Sequence, residues 1–241
     1  MGIGGTGATV TRNSSTSFTI NFTSPVALSR NVAKITVEST VHTIRPCSDG
    51  ANCVVGDIGP GGGTVFYVAS TQQSWGRHLE AAPKTWNGGT EDPQLAWCGN
   101  NNTTFIGGGS RLTTDGWGAG PANTAIMSSS TCSDSSAGKR VAYFNTLSSL
   151  KDWYIPVGVE LNEMCKYAYD IADNNPNVLC GAPSIAGKTY NTQFKQNIYY
   201  TSFEFNGQYA NYYRFESGYR SYQGAHDKNS SGIYVRPIRA F

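Results

Sequence analysis

Charged residues are scarce in this chain. Only 14% of its 241 residues are Asp, Glu, Lys or Arg, and the formal net charge is +2. So small a net charge gives no strong attraction to nucleic acid or to an anionic membrane. No apolar run approaches the roughly 20 residues that a membrane-spanning helix needs. We therefore expect no nucleic-acid partner and no direct insertion of this chain into a membrane.

Signal-peptide features are also missing. Residues 1–6 contain neither a basic segment nor an apolar one. The chain is nevertheless rich in Gly, Ser, Thr, Asn and Tyr, with 28 glycines and 14 tyrosines. This composition is more typical of a loop-rich extracellular fold than of a helical cytosolic enzyme. We expect an extracellular or cell-surface location, or a phage particle, and a chain that lacks its leader and upstream domains.

Metal-binding cysteine pairs are absent as well. The chain has no Cys-x-x-Cys pair and its three histidines are scattered, so the spacing predicts no zinc site. Six cysteines in a polar chain instead favour disulfides and an oxidising compartment. Connectivity cannot be read from sequence, but pairing sequence neighbours closes short local loops. The simplest prediction is Cys47–Cys53, Cys98–Cys132 and Cys165–Cys180.

No catalytic arrangement is evident. Carboxylates and imidazoles are present, but their spacing assembles no nucleophile, base and orienting group. The candidates are Glu80, Asp152, Glu160, Glu163, His78 and His226. We therefore predict no catalytic residues and no cofactor.

The first 41 residues differ from the rest of the chain. Residues 8–11 and 17–23 alternate apolar and polar side chains around a turn at 13–16, and a further strand is expected within 32–41. Two or three strands are too few to be stable alone. We interpret residues 1–41 as part of a larger β-module, or as a disordered arm, and residues 42–53 as a linker.

Residues 54–241 show a mixed α and β pattern. A glycine-rich stretch precedes a predicted buried strand at 64–69. Apolar residues recur at helical spacing over 139–150 and 159–172, and Pro121 could start a short helix. After Pro176 we expect loop until Tyr199, and we expect a final strand over 233–241.

Tyrosine is concentrated near the C-terminus. Eight of the 14 tyrosines lie within 199–241, among Gly, Ser, Asn, Arg and His. Rigid rings with polar tips, separated by small polar residues, are typical of recognition surfaces. The alternative is that these rings fill a core. We favour a surface because the segment has almost no Leu, Val or Ile before Ile233.

Several ordered motifs in residues 54–241 resemble a known family. They are G-D-x-G-P-G-G-G-x-V-F-Y at 56–67, H-L-E-A-A-P at 78–83, residues 123–126, D-W-Y-x-P at 152–156 with E-L-N at 160–162, and Y-V-R-P-I-R-A-F at 234–241. Together they resemble a bacterial and phage family of C-type-lectin-like domains, whose fold is shared with formylglycine-generating enzymes. The resemblance implies an α+β fold with small antiparallel sheets, two flanking helices and long loops, including a loop-rich, ligand-binding segment over about 199–232. It also implies that residues 64–69 pair with the last strand. The pattern of residues 1–41 adds a short β appendage at the N-terminus.

The stretch from Glu216 to Lys228, followed by the terminal motif, is similar to the variable region of proteins diversified by diversity-generating retroelements. That resemblance implies a non-catalytic receptor-binding or adhesion domain with a variable, ligand-facing segment before the last strand. The implied ligand-facing positions are Phe203, Phe205, Tyr209, Tyr212, Tyr213, Tyr219, Ser221, Tyr222, Gly224, Ala225, His226 and Asp227. The expected partner is an unknown protein or glycan on another surface.

Three residues are expected to have structural roles. We assign structural roles to Trp153, Arg236 and Arg239, and we expect the arginines to hold the last strand through charge-assisted hydrogen bonds.

One alternative function is that of an enzyme of the formylglycine-generating type. Such an enzyme needs a reactive cysteine pair near the C-terminus, but no cysteine follows Cys180. Another is a carbohydrate-binding lectin of fixed specificity. Carboxylates near the tyrosine-rich segment are too few to predict a calcium site there, while a structural calcium ion elsewhere stays open.

Overall fold

The computed structural model describes a large part of the chain. It gives the backbone of five strands within residues 1–44, and then residues 47, 53–100, 104–106, 113–171, 178–181, 187–216 and 223–241.

The N-terminal strands are β1 (Ile3–Gly4), β2 (Ala8–Arg12), β3 (Phe18–Phe22), β4 (Ala33–Val37) and β5 (Thr40–Ile44). The predicted hairpin is confirmed, since β2 and β3 pair antiparallel. The single strand expected within 32–41 is wrong, because β4 and β5 form a second antiparallel pair that β1 joins at β4. The division of the chain at residues 41 and 53 stays a prediction.

The remaining elements alternate strands and helices. They are β6 (Thr64–Gln73), β7 (Gly76–Ala81), β8 (Gln94–Leu95), α1 (Gly120–Ser129), α2 (Ala137–Leu147), α3 (Gly158–Ala168), β9 (Ile198–Glu204), β10 (Tyr209–Arg214), β11 (Gln223–Asp227), β12 (Ile233–Tyr234) and β13 (Ile238–Ala240). The expected α+β class with small sheets is confirmed. The described residues contain three helices, whereas the resemblance implied two; α2 and α3 are the helices predicted from apolar spacing.

Two small sheets organise residues 53–241. One has the strand order β11-β10-β9-β12-β8, and the other has the order β13-β7-β6. The expectation that residues 64–69 lie beside the last strand is wrong, because β7 lies between β6 and β13. The single strand expected over 233–241 is also split between the two sheets. Pro237 stands at the break, where its missing N–H cannot donate to a neighbouring strand.

The hydrophobic core lies on both faces of the five-stranded sheet. Tyr199 packs in one cluster with Leu161 and Met164 of α3. Its neighbour Tyr200 packs in a second cluster with Trp97 and Trp153. Successive residues of a strand point to opposite faces, so β9 is covered on both sides.

Three disulfides join the predicted pairs, Cys47–Cys53, Cys98–Cys132 and Cys165–Cys180. All six cysteines are buried, and no free cysteine remains. The prediction of local disulfides is therefore confirmed. Each bond ties a loop to the core beside it.

The glycine-rich loop before β6 encloses a buried carboxylate. The backbone N–H groups of Gly61 and Gly63 donate to Glu80 at 3.2 and 3.1 Å. A Cβ on Gly63 would stand 2.1 Å from the carbonyl oxygen of Ala81, so the chain can approach β7 this closely only with glycine. The same Glu80 lies 3.6 Å from the guanidinium of Arg239.

The two C-terminal arginines contact carboxylates and carbonyls. Arg239 donates to both carboxylate oxygens of Asp152 at 2.8 and 2.7 Å. Arg236 donates to both oxygens of Asp92, and also to the carbonyls of Ala82 and Gln193. These bonds attach the segment around β13 to three separate parts of the chain.

Glu160 lies buried in the first turn of α3. Its carboxylate accepts the N–H of Val157 at 2.9 Å, the N–H of Gly118 at 3.3 Å and the hydroxyl of Tyr154 at 3.1 Å. Burial nevertheless raises the pKa of Glu160 from 4.5 to about 7, because desolvation disfavours the charged form more than these bonds favour it.

This shift predicts a pH-dependent stability. Between pH 4.5 and about 7, the native state keeps a proton at Glu160 that the unfolded state has released. The stability that this proton contributes is therefore complete below pH 4.5 and is lost as the pH rises through about 7. The stability of the wild type relative to Glu160→Gln should therefore fall by about 3 kcal/mol between these pH values. Urea unfolding of both proteins measures it. Burial lowers the pKa of His78, so the contribution of His78 to stability rises with pH. That contribution is the same in both proteins and cancels in the difference between them. A difference that is constant with pH would contradict the shift.

Candidate ligand-binding surface

The tyrosine-rich segment forms an antiparallel meander of β9, β10 and β11. Tyr209 pairs with Asp227 and Tyr212 pairs with Gly224, while β9 and β10 shift register between Ala210 and Tyr212. The expectation of a loop-rich segment over 199–232 is therefore wrong for its described parts. Hydrogen bonding between strands fixes the backbone that was expected to be loop.

Most of the predicted ligand-facing residues in the described ranges reach solvent. Phe205 is 51% exposed and Tyr209 is 36% exposed, on either side of the turn between β9 and β10. Ala225 is exposed on β11. Phe203, Tyr212, Gly224, His226 and Asp227 are half-buried. We call the set of Phe203, Phe205, Tyr209, Tyr212, Gly224, Ala225, His226 and Asp227 the β9–β11 surface.

Tyr213 is a correction, because its side chain is 0% exposed and cannot face a ligand. It pairs with the buried Tyr199 across the strands, and its hydroxyl donates to the Asn162 side chain of α3 and to the carbonyl of Cys180. Tyr213 therefore ties β10 to α3 and to the Cys165–Cys180 loop.

Three further predicted positions, Tyr219, Ser221 and Tyr222, fall in residues 217–222, outside the described residues. Their ligand-facing role stays a prediction.

A buried ion pair supports the surface from beneath. Lys228 Nζ lies 2.7 Å from Glu204 Oε1, and both side chains are fully buried. Lys228 also donates to the carbonyl of Thr104 at 2.7 Å, and Glu204 accepts the N–H of Ile106 at 3.0 Å. The pair thereby joins the end of β9 to the residue that follows β11.

The turn between β9 and β10 is closed by its own hydrogen bonds. Asn206 Oδ1 accepts the backbone N–H groups of Gln208 and Tyr209 at 2.8 Å each, and the N–H of Phe205 donates to the carbonyl of Tyr209 at 3.0 Å. An Asx-type turn of this kind restrains the backbone locally. Phe205 and Tyr209 are thus presented on a defined hairpin.

Tyr212 and Gly224 are sterically coupled. A Cβ on Gly224 would stand 2.4 Å from the hydroxyl oxygen of Tyr212, so a side chain at 224 requires that ring to move. Arg214 donates to the Tyr212 hydroxyl at 3.2 Å and pairs with Glu216. The His226 ring stands edge-on to Tyr212, with centroids 6.5 Å apart.

Sequence reasoning missed several polar residues of this region. Asn211 pairs with Ala225 and is half-buried, and Arg214 and Glu216 form an ion pair at the end of β10. The sequence signal available for Asn211, Arg214 and Glu216 was that they lie between predicted ligand-facing residues. Asp227 was predicted, and the N–H of Asn229, which donates to it at 2.8 Å, lowers the pKa of its carboxyl group. The β9–β11 surface and these adjacent residues therefore combine rings, an amide and charges of both signs.

Within the described ranges, no group of three or more His, Cys, Asp or Glu residues could hold a metal ion. No helix there has the length and apolar character to cross a bilayer.

Comparison with protein-family models, with curated proteins and with solved structures finds no match to this chain. The resemblance to C-type-lectin-like domains therefore rests on the motifs quoted above.

Proposed function

We propose that this chain is a non-catalytic ligand-binding protein with a C-type-lectin-like fold. Its β9–β11 surface, together with the neighbouring residues 217–222, binds a protein or glycan on another surface, and a retroelement diversifies these positions. The three disulfides suit an oxidising, extracellular setting.

One observation carries the proposal: the same small sheet holds both buried framework positions and positions that reach solvent. Tyr199, Tyr200 and Tyr213 are buried in the core, whereas Tyr209 and Ala225 are exposed. Side chains at the exposed positions can change without altering core packing, while the buried ones hold the backbone. Such a division suits a surface that varies in sequence on a constant frame.

The chemistry of the surface favours recognition. Phe205 and Tyr209 offer rigid apolar area, and Asp227 adds a negative charge. Asn211 and Arg214, next to the surface on β10, add an amide and a positive charge. Rings among adaptable polar groups are the composition of protein-binding loops. The cysteines, in contrast, are all in disulfides, which does not favour a thiol-dependent oxidation of the formylglycine-generating type.

Two matched libraries test this function. In the first, Phe205, Tyr209, Tyr212, Ala225 and Asp227 are randomised, and Gly224 is left unchanged because of its contact with Tyr212. In the second, buried positions of the same sheet are randomised: Tyr199, Tyr200, Tyr213, Phe215 and Ile233.

We expect most members of the first library, and few of the second, to be displayed as protease-resistant, oxidised protein. Selection of the first library against immobilised serum albumin should yield binders. Equal loss of folded protein in both libraries would show that the β9–β11 residues are framework, and folded members that never yield binders would contradict the binding role.

Diversification has its own test in the genome. We expect a near-copy of the coding sequence for the last part of the chain beside a reverse-transcriptase gene. Without such a copy the diversification proposal fails, whatever the libraries show about binding.

A further inference from the structure

A concave site lies away from the β9–β11 surface. A cleft of about 380 Å³ opens between α1, α2 and residues 151–154, and no lining residue comes from β9, β10 or β11. Small-molecule sites begin at about 300 Å³. Its walls include Trp75, Ala125, Asn145, Lys151, Asp152 and Trp153.

One wall of the cleft is an aromatic ring held in place by stacking. Trp75, in the turn between β6 and β7, stacks on Trp117 with centroids 5.3 Å apart and an interplanar angle of 14°. Trp117 in turn stacks on Tyr67 at 5.2 Å. The half-buried Trp75 indole is therefore a preformed apolar contact for a flat ligand.

The cleft also offers hydrogen-bond acceptors. The Asp152 side chain is 52% exposed, and each carboxylate oxygen accepts one hydrogen bond from Arg239. A carboxylate has about four acceptor positions, so acceptor capacity remains for a ligand. The pairing with Arg239 also fixes the orientation of that carboxylate.

Several donors of the cleft are, in contrast, already in use. Lys151 Nζ donates to the carbonyls of Asn145, Thr146 and Ser148 at 3.0 to 3.1 Å, which accounts for its three protons. The Asn145 amide bonds both backbone groups of Trp153, at 2.9 and 3.1 Å. An anionic ligand would thus meet the Asp152 carboxylate without a free ammonium group. A cationic ligand would meet the ammonium group of Lys151 and a carboxylate whose charge Arg239 already balances.

We infer that this cleft binds a neutral saccharide. Sugar hydroxyls would donate to Asp152, and the C–H face of the ring would lie on Trp75, where the negative face of the aromatic system favours it. Such a site is independent of the β9–β11 surface.

The test uses the full chain and methyl glycosides of glucose, galactose and mannose, followed by saturation-transfer NMR and tryptophan fluorescence. We expect binding of at least one glycoside. Trp75→Ala should weaken it at least about tenfold, which corresponds to 1.4 kcal/mol. Ala125→Trp, which fills the cleft without removing a contact, should abolish binding. Tyr143→Ala is the control, because Tyr143 is 54% exposed on α2 and does not line the cleft.

Binding by none of the glycosides, or equal binding by the wild type, Trp75→Ala and Ala125→Trp, would overturn the inference. Stronger binding of glucuronate or glucosamine than of the neutral glycosides would overturn the assigned ligand class. A protein with both Phe205→Ala and Tyr209→Ala should bind the glycosides unchanged, so this test is separate from that of the β9–β11 surface.

Discussion

Replacing Lys228 by methionine should lower the free energy of unfolding by about 3 to 5 kcal/mol. The substitution leaves the carboxylate of Glu204 in a fully buried position without its cation. It also removes the donor to the carbonyl of Thr104. Urea unfolding followed by tryptophan fluorescence measures the loss.

Two variants identify its cause. Adding Glu204→Gln to Lys228→Met should recover much of the stability, because glutamine carries no charge and keeps an acceptor for the N–H of Ile106. Lys195→Met is the matched surface control: Lys195 pairs with the exposed Glu91, and its loss should cost less than about 1 kcal/mol. If Lys228→Met costs no more than Lys195→Met, the buried pair does not stabilise the fold.

Removing the Cys98–Cys132 disulfide by alanine at both positions should cost about 3 to 4 kcal/mol. This bond closes the longest loop of the three, with a sequence separation of 34 residues, and so it restricts the unfolded chain most. The backbone N–H of Cys98 donates to the carbonyl of Lys228 at 2.9 Å, and alanine keeps this bond, so the double variant removes only the covalent link. Urea unfolding without reductant measures the change.

The other disulfides give the comparison. Cys47–Cys53 spans 6 residues, and the same substitution there should cost only about 2 kcal/mol. Cys165–Cys180 spans 15 residues and should fall between the two, at about 3 kcal/mol. A reversed order among the three double variants would show that local packing, and not loop closure, decides their contributions.

The local features of this fold could be predicted from the sequence. Val141 and Phe144, and likewise Leu161 and Met164, stand at helical spacing, and both segments form helices. The β2–β3 hairpin and the three disulfides also join neighbouring parts of the chain. For the helices and the hairpin, the signal and the contact lie within the same short segment; for the disulfides, pairing each cysteine with its neighbour in sequence was sufficient.

The pairing of distant strands could not be predicted in this way. No local pattern decides whether β13 lies beside β6 or β7, since this choice depends on how residues far apart pack. The sheet order also splits the terminal segment at Pro237, because β12 and β13 have different partners.

Tyr213 shows the same limit at the level of one side chain. Because β9 and β10 contribute residues to clusters on both faces of the sheet, their sequences lack the alternation of a half-buried strand. Tyrosine is found both in cores and at surfaces, so composition alone could not separate Tyr213 from Tyr212. Only the contact of Tyr213 with Asn162 shows its role.

The five-stranded sheet has a consequence for how the chain folds. Its strand β12 joins β8 to β9, and the side chain of Gln94 bonds the carbonyl of Gly232, 138 residues away. Contacts of such separation form slowly, because a large loop must close before they contribute. During biosynthesis, β9 would keep one edge unpaired until β12 has been synthesised. Production should therefore benefit from lower temperature and slower synthesis, which leave more time for closure before unpaired edges meet one another.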